Sequence, residues 1–322
     1  MKVAILGSGA FGIALSKVFI ENTSDITMWT VANEYEELTK YHTNNKVLKN
    51  IKIDKRIKIS TDLKETITNA DIIVIAIPVK YVSSTIQKIA GYITNKQHIC
   101  IASKGIEQGS CLFVHNIIKK YIHTNKINVI SGGTFAIDMA NKYPMGLTIA
   151  SKNKKSALVI KKALTNSFIT CEIVNDIFGV EMYGAIKNVF AIATGILEGL
   201  NLPESTKCTF ITKCLNETKE LIYSLGGNKK TIFTYAGFGD ILLTCTSPKS
   251  RNFTLGKMIG EKRNKEEINN YINTTTIEGL YTLKSIKDLL HKNNKQIPLI
   301  NYLYAIIYND KEPEGLIDLI TK

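Results

Sequence analysis

Hydrophobic positions along the 322-residue chain follow two patterns, and the change between them falls near Asp176. Before it, apolar runs of strand length alternate with stretches in which apolar residues recur every three or four positions. Residues 3–6, DITMWT (25–30), DIIVIAIP (71–78), HICIAS (98–103) and INVISGG (127–133) read as strands, with helical segments between them. Strands separated by helices predict a parallel, doubly wound sheet. Ligands of such sheets bind outside the carboxyl ends of the strands. Val31, Asn33, Pro78, Ser103, Lys104 and residues 132–135 follow those ends. After Asp176 the periodicity is helical only, over 180–200, 208–225, 283–291 and 300–308, which predicts an all-α second domain.

The first strand runs directly into GSGAFG. Gly7, Gly9 and Gly12 make the G-x-G-x-x-G spacing in its strand-turn-helix setting, with Ala10 and Phe11 inside the turn. Gly7 permits the tight turn, Gly9 a close approach of the backbone to a pyrophosphate, and Gly12 close helix-strand packing. The helix amino terminus then offers unpaired N–H groups and a positive dipole end to phosphate. The expected fold is an α/β N-terminal Rossmann-type doubly wound domain, residues 1–176, followed by an all-α C-terminal domain, residues 177–322. The second strand ends in WTVANE, where an acid would bond the adenosine ribose or a base would accept a 2′-phosphate. Neither type occupies Thr30 or Val31, and Glu34 comes slightly late. NAD(H) and NADP(H) are therefore not distinguished at this level.

Composition narrows the classes. With 44% hydrophobic and 21% charged residues the chain is globular, and no stretch is expected to approach the ~18 apolar residues of a membrane span. KVAIL at the start leaves no room for a signal peptide, so a soluble, cytoplasmic protein without membrane insertion is expected. The six cysteines form no C-x-x-C pair and the five histidines no H-E-x-x-H, giving no support for a metal. A net charge of +13 raises nucleic acid as a partner. Yet the lysines of residues 152–162 alternate with Ala157, Leu158, Val159, Ile160 and Ala163 in helical fashion and lack interleaved aromatics. A solvated helix face, not a nucleic-acid site, is the expectation.

The helical half contains one anomaly. VEMYGAIKNVFAIATGILEGL (180–200) is apolar on almost every side, which predicts burial, yet it carries Lys187 among residues too small to shield an ammonium. That lysine either snorkels to water or is used. Two other segments are unusually polar for a helical bundle. AGFGDILLTCTSPKSRNFTLG flanks Asp240 with glycines and then gathers Ser250, Arg251 and Asn252, donors of the kind that clamp phosphate. TTTIEGL places Glu278 beside a glycine.

In six motifs and in their order, GSGAFG, ASKGIE, ISGGTFA, GVEMYGAIKNVFAIATGILEGL, AGFGDILLTCTSPKSRNFTLG and IEGL, the chain closely resembles bacterial NAD(P)-dependent glycerol-3-phosphate dehydrogenases. That resemblance implies reversible hydride transfer between NAD(P)H and dihydroxyacetone phosphate, giving sn-glycerol 3-phosphate for glycerophospholipid synthesis. It implies Lys187 as proton donor and acceptor. Lys104, Gly132, Thr134, Asp240, Ser250, Arg251 and Asn252 would line the substrate site with it. Ala10, Phe11, Val31, Lys104, Ala136, Arg251, Thr276 and Glu278 would contact the dinucleotide beside the three glycines. A homodimer is common in the family.

The chemistry of the residues agrees. Hydride arrival builds charge on the ketone oxygen, so a nearby proton donor lowers the barrier. A free lysine titrates near ~10.4. Burial and a second cation such as Lys104 would both lower that value, and Asp240 could hold or partly recharge the group. Three positions depart from the family pattern: Gly133 replaces a usual proline, Tyr183 a small residue, and Val31 a basic or imidazole residue. Gly133 and Tyr183 leave room for an alternative, a related two-domain dehydrogenase acting on another small phosphorylated or carboxylated alcohol. A redox-sensing nucleic-acid binder is the remaining reading; joint retention of Lys187, Lys104, Asp240 and Arg251 speaks against it.

Overall fold

Eight strands form one sheet: β1 (Lys2–Leu6), β2 (Asp25–Trp29), β3 (Lys58–Ser60), β4 (Ile72–Ile75), β5 (His98–Ile101), β6 (Ile127–Ser131), β7 (Met145–Ser151) and β8 (Ile169–Val174). This is a computed structural model, describing residues 1–321. The spatial order is β3-β2-β1-β4-β5-β6-β7-β8. Its first six strands are parallel and in the order of a Rossmann sheet, with the reversal of direction between β1 and β4. The central strands are apolar on both faces, as a sheet covered on both sides requires. Val3 lies beside Ile26 on one side and Ile72 on the other, all fully buried.

The expected parallel sheet is present but extended by strands the periodicity did not reveal. β3 is three residues long, and β7 and β8 are interrupted by Gly, Thr, Ser and Glu. β7 runs antiparallel to β6, and β8 parallel to β7. The chain between β6 and β7 holds only the five-residue helix Ala136–Ala140, too little for a full crossover. Helix Lys154–Leu164 joins β7 to β8 and buries Ala157, Ile160, Ala163 and Leu164, while Lys154, Lys155 and Lys162 are exposed.

The chain sorts into two units. One contains Met1–Lys104 and Val114–Val180; the other contains Gly105–Phe113 and the chain from Glu181 onward. The longer helices of the second are Ile177–Gly199 (which starts in the first), Glu204–Ser224, Asp240–Thr246, Arg251–Gly260, Lys265–Thr274, Glu278–Lys292 and Pro298–Tyr308. The excursion Gly105–Phe113 is closed by the bridge between Ile106 and Phe113. It is held by Ser285 Oγ donating to Ile106 O at 3.2 Å and Lys292 Nζ donating to Gly109 O at 3.1 Å.

Ile177–Gly199 is the axis of the second unit. Its mean hydropathy reaches 1.2 over 18 residues, and all of that window is buried. Length and composition alone would let it cross a bilayer, contrary to the expectation that no stretch comes near. Counting unbroken apolar residues misses it because Lys187, Asn188 and the glycines interrupt the run. Arg251–Gly260 packs against it at backbone distance. A Cβ on Gly195 would lie 2.1 Å from Phe253 O, and one on Gly256 would lie 1.9 Å from Ile192 O; Gly199 and Gly260 repeat the arrangement one turn on. Glycine costs helix stability, so the residues here follow the demand of close packing. Among the six cysteines, only Cys208 is exposed and all are free thiols; burial pushes the Cys245 thiol up to about 12.

Candidate active site

In the sheet unit, the candidate residues gather along one edge. The parallel strands β1, β2, β5 and β6 deliver Gly7, Val31, Lys104 and Gly132 to their carboxyl ends. Gly7 adopts φ +122°, and a Cβ there would lie 2.6 Å from Ala76 O, just past β4. Gly12 would place a Cβ 2.1 Å from Gly7 O. These two glycines are required by the protein's own packing. Gly9 is different: a Cβ there would meet nothing within 4 Å. It caps helix Ala10–Phe19 with no side-chain hydrogen bond, so the N–H groups of the first turn face an open approach, as a pyrophosphate site needs.

Around that turn, Ala10 and Phe11 are half-buried, and Lys104 Nζ lies 5.7 Å from the centre of the Phe11 ring. Val31 is 44% exposed and caps the short helix Ala32–Glu36. Gly132 is buried where a Cβ would lie 2.5 Å from Gly146 O, and Thr134 Oγ1 donates to Gly132 O at 3.4 Å. Ala136 opens the next helix, half-buried. Gly133, the departure from proline, is half-buried in the same turn.

In the helical unit, Lys187 is 9% exposed and Asp240 1%. Nζ donates to Asp240 Oδ1 at 2.6 Å and to Thr244 Oγ1 at 3.2 Å. Thr244 Oγ1 in turn donates to Asp240 O at 2.6 Å. Lys187 does not snorkel; it is fixed by a carboxylate on helix Asp240–Thr246, which continues directly from the helical turn Tyr235–Gly239. Asp240 offsets the charge of an ammonium that burial alone would disfavour.

A second network starts one residue on. Asn188 Nδ2 donates to Glu278 Oε2 at 3.2 Å, and Asn252 Nδ2 donates to Asn188 Oδ1 at 3.1 Å. Asn252 Oδ1 accepts from Gly279 N at 2.9 Å. Asn252 is thus engaged at both ends of its amide. Ser250 caps helix Arg251–Gly260, its Oγ accepting from Phe253 N at 3.3 Å. Arg251 and Thr276 are exposed, and the Arg251 guanidinium has no hydrogen bond or ion pair among the described residues. Tyr183 is fully buried.

Thr244 and Asn188 are absent from the sequence-derived set. Each had a local signal: Thr244 lies four residues after Asp240 on the same helix face, and Asn188 adjoins Lys187. Both read as ordinary polar residues until the fold brings their partners in.

A glycine turn open to a diphosphate on a Rossmann sheet, paired in one chain with a buried lysine on an apolar helix, marks an oxidoreductase of the nicotinamide-dependent, two-domain class. Comparison with known families narrows that class. Residues 2–157 match the N-terminal and residues 176–318 the C-terminal family model of NAD-dependent glycerol-3-phosphate dehydrogenase, and the chain belongs to that family. The glycerol-3-phosphate dehydrogenase [NAD(P)+] of Staphylococcus haemolyticus is 33% identical over 313 residues, covering 96% of this chain and 94% of its own. Among solved structures, glycerol-3-phosphate dehydrogenase from Coxiella burnetii superposes with a TM-score of 0.93 at 30% identity, over 100% of this chain and 98% of that one. The Plasmodium falciparum enzyme gives 0.89 at 25% identity, over 99% and 94%.

Proposed function

We propose that this protein reduces dihydroxyacetone phosphate to sn-glycerol 3-phosphate with NAD(P)H, reversibly, and so supplies glycerophospholipid synthesis. The observation that carries this reading is the buried Lys187, held by Asp240 and Thr244 in a chain of this family. In residues 1–176, Gly7, Gly9, Ala10, Phe11, Gly12, Val31, Lys104 and Ala136 are the candidate contacts of the dinucleotide; for Arg251, Thr276 and Glu278 of residues 177–322 the same role rests on the family resemblance alone. The open flank of Gly9 and the uncapped helix behind it fit a diphosphate. When bound, the nicotinamide supplies or accepts a hydride.

Lys187 performs the proton half of the reaction. As the carbonyl carbon gains the hydride, Nζ donates a proton to the developing alkoxide; in the reverse direction it takes the hydroxyl proton back. Asp240 and Thr244 keep Nζ in one place and compensate its charge. Arg251, exposed and with no hydrogen bond or ion pair among the described residues, fits the substrate phosphate, with Ser250 and the Asn252 amide beside it at the same helix start. For Lys104, Gly132 and Thr134, at the carboxyl edge of the sheet, a role toward the substrate rests on the family resemblance. Asn188 acts through others, locking Asn252 to Glu278. The finer readings, a cytoplasmic homodimer that does not bind nucleic acid, rest on the family resemblance and on the exposed placement of the lysines of helix Lys154–Leu164.

The test follows nicotinamide absorbance with dihydroxyacetone phosphate, and with unphosphorylated dihydroxyacetone and small 2-keto acids as controls. Turnover dependent on the phosphorylated ketone is expected. Lys187→Ala should lower kcat about 10²–10⁴-fold, the range for a general acid, with dinucleotide affinity retained. Turnover of a keto acid instead would favour the alternative alcohol substrate.

A further inference from the structure

Beside the glycine turn, a carboxylate is held by side chains from three separate segments. Glu34, in helix Ala32–Glu36, accepts from Ser8 Oγ at 2.5 Å, from Asn44 Nδ2 at 3.0 Å and, at 3.4 Å, from Thr30 Oγ1. Ser8 lies between Gly7 and Gly9, and its hydroxyl is also 2.7 Å from that of Thr30, the residue after β2. Asn44 Nδ2 donates in addition to Ser8 O at 3.2 Å. Ser8, Thr30 and Asn44 are all at least nine-tenths buried; Glu34 is half-buried.

All three donors reach Oε2, so Oε1 has no protein donor among the described residues and retains its capacity to accept. The segment TVANEYE (30–36) carries three apolar or amide side chains and one further acid, Glu36, but no cation. A ribose carrying free hydroxyls finds an acceptor here, whereas a 2′-phosphate finds like charge. We propose that Glu34 makes this chain prefer NAD(H) to NADP(H), doing from one helical turn into the connection what an acid at the strand end does elsewhere. The inference rests on the reading that the sheet unit holds a dinucleotide, and adds to it which one.

Three buried donors on one carboxylate oxygen fix the side chain before any ligand arrives, the preorganisation that a specificity contact needs. A purely structural tie between β2 and the glycine turn would not depend on the charge, because a glutamine could accept the same bonds through its carbonyl oxygen. That difference defines the experiment. Full-length wild type, Glu34→Gln and Glu34→Asp are titrated with NADH and NADPH separately, following nicotinamide fluorescence, with thermal melting as a check on folding.

Wild type should bind NADH at least about tenfold more tightly than NADPH, since like-charge juxtaposition is strongly penalised. Glu34→Gln should bring the two within about threefold, chiefly by tighter NADPH binding, and Glu34→Asp should keep most of the preference. Equal affinities in wild type would overturn the proposal, as would a Glu34→Gln change that moves both cofactors by the same factor. If Glu34→Gln melts much lower, the wild-type ratio and Glu34→Asp still decide. Absence of binding by either dinucleotide would defeat the oxidoreductase reading itself; binding without preference defeats only this inference.

Discussion

Separating Lys187 from Asp240 should cost stability as well as activity, and the two costs can be measured apart. The side chains are 11% and 1% exposed, and Nζ to Oδ1 is 2.6 Å. Removing one member of such a pair strands the other charge in the interior, at about 3–5 kcal/mol. At 2–4 °C per kcal/mol for a domain of this size, Asp240→Leu and Lys187→Met should each melt roughly 6–20 °C below wild type. Replacing both, Lys187→Met with Asp240→Leu, removes the charges together and should recover most of that loss, because apolar substitution of a whole buried pair is often near neutral. Urea unfolding followed by circular dichroism gives the four stabilities of the cycle. A coupling energy of about 2 kcal/mol or more is expected. Additive losses, with coupling below about 0.5 kcal/mol, would refute the view that Asp240 compensates the lysine, even if both variants were inactive.

Other outcomes follow from neighbouring features. Arg251→Ala removes an exposed guanidinium with no hydrogen bond or ion pair among the described residues and should raise KM for dihydroxyacetone phosphate about 10- to 100-fold, the value of a charged hydrogen bond, and KM for the dinucleotide by a smaller factor; steady-state kinetics on both substrates checks it. Gly256→Ala forces a methyl to within 1.9 Å of Ile192 O and should destabilise by about 1–3 kcal/mol or more, read as a lowered melting temperature. The hydrogen bond from Lys207 depresses the Glu198 carboxyl below its ordinary 4.5. A depressed acid stabilises the fold above its unfolded value and loses that contribution as pH falls through the folded one. Glu198→Gln should therefore be less stable than wild type near neutrality and converge with it in acid, and a gap that persists at low pH would exclude this pair as its source.

Much of this architecture is legible from local pattern. The glycine spacing after β1, the apolar runs of β4 and β5 and the long helix around Lys187 each carry their signal within a dozen residues. What escaped depends on distant partners. β7 and β8 alternate too weakly to stand out, since Thr148 and Glu172 bond each other across the pair at 2.7 Å rather than presenting an apolar face. Helix Arg251–Gly260 is absent from the helical periods of the sequence because its glycines oppose helix formation, and only the facing glycines of Ile177–Gly199 make them favourable. Helix Lys265–Thr274 did leave a trace, Asn264 accepting from Glu267 N at 2.8 Å, a capping pattern in a segment with no buried residues. The site divides similarly: Lys187 stands out as a charge among apolar neighbours, while Thr244, Asn188 and the ring of donors on Glu34 acquire meaning only from contacts across the fold.

The excursion Gly105–Phe113 bears on how the chain is made. Ile106 and Phe113 are 4% and 3% exposed, yet the backbone that Lys292 secures lies 183 residues upstream of it. At a synthesis rate of ~5–20 residues per second, roughly 10–40 s pass between the emergence of the two. During that interval the sheet unit can be completed on the ribosome, while the segment immediately after Lys104 still lacks Ser285 and Lys292. A nascent chain halted after Val180 should consequently resist protease along β1 to β8 but be cut near residues 105–113, and release of the finished chain should close that site.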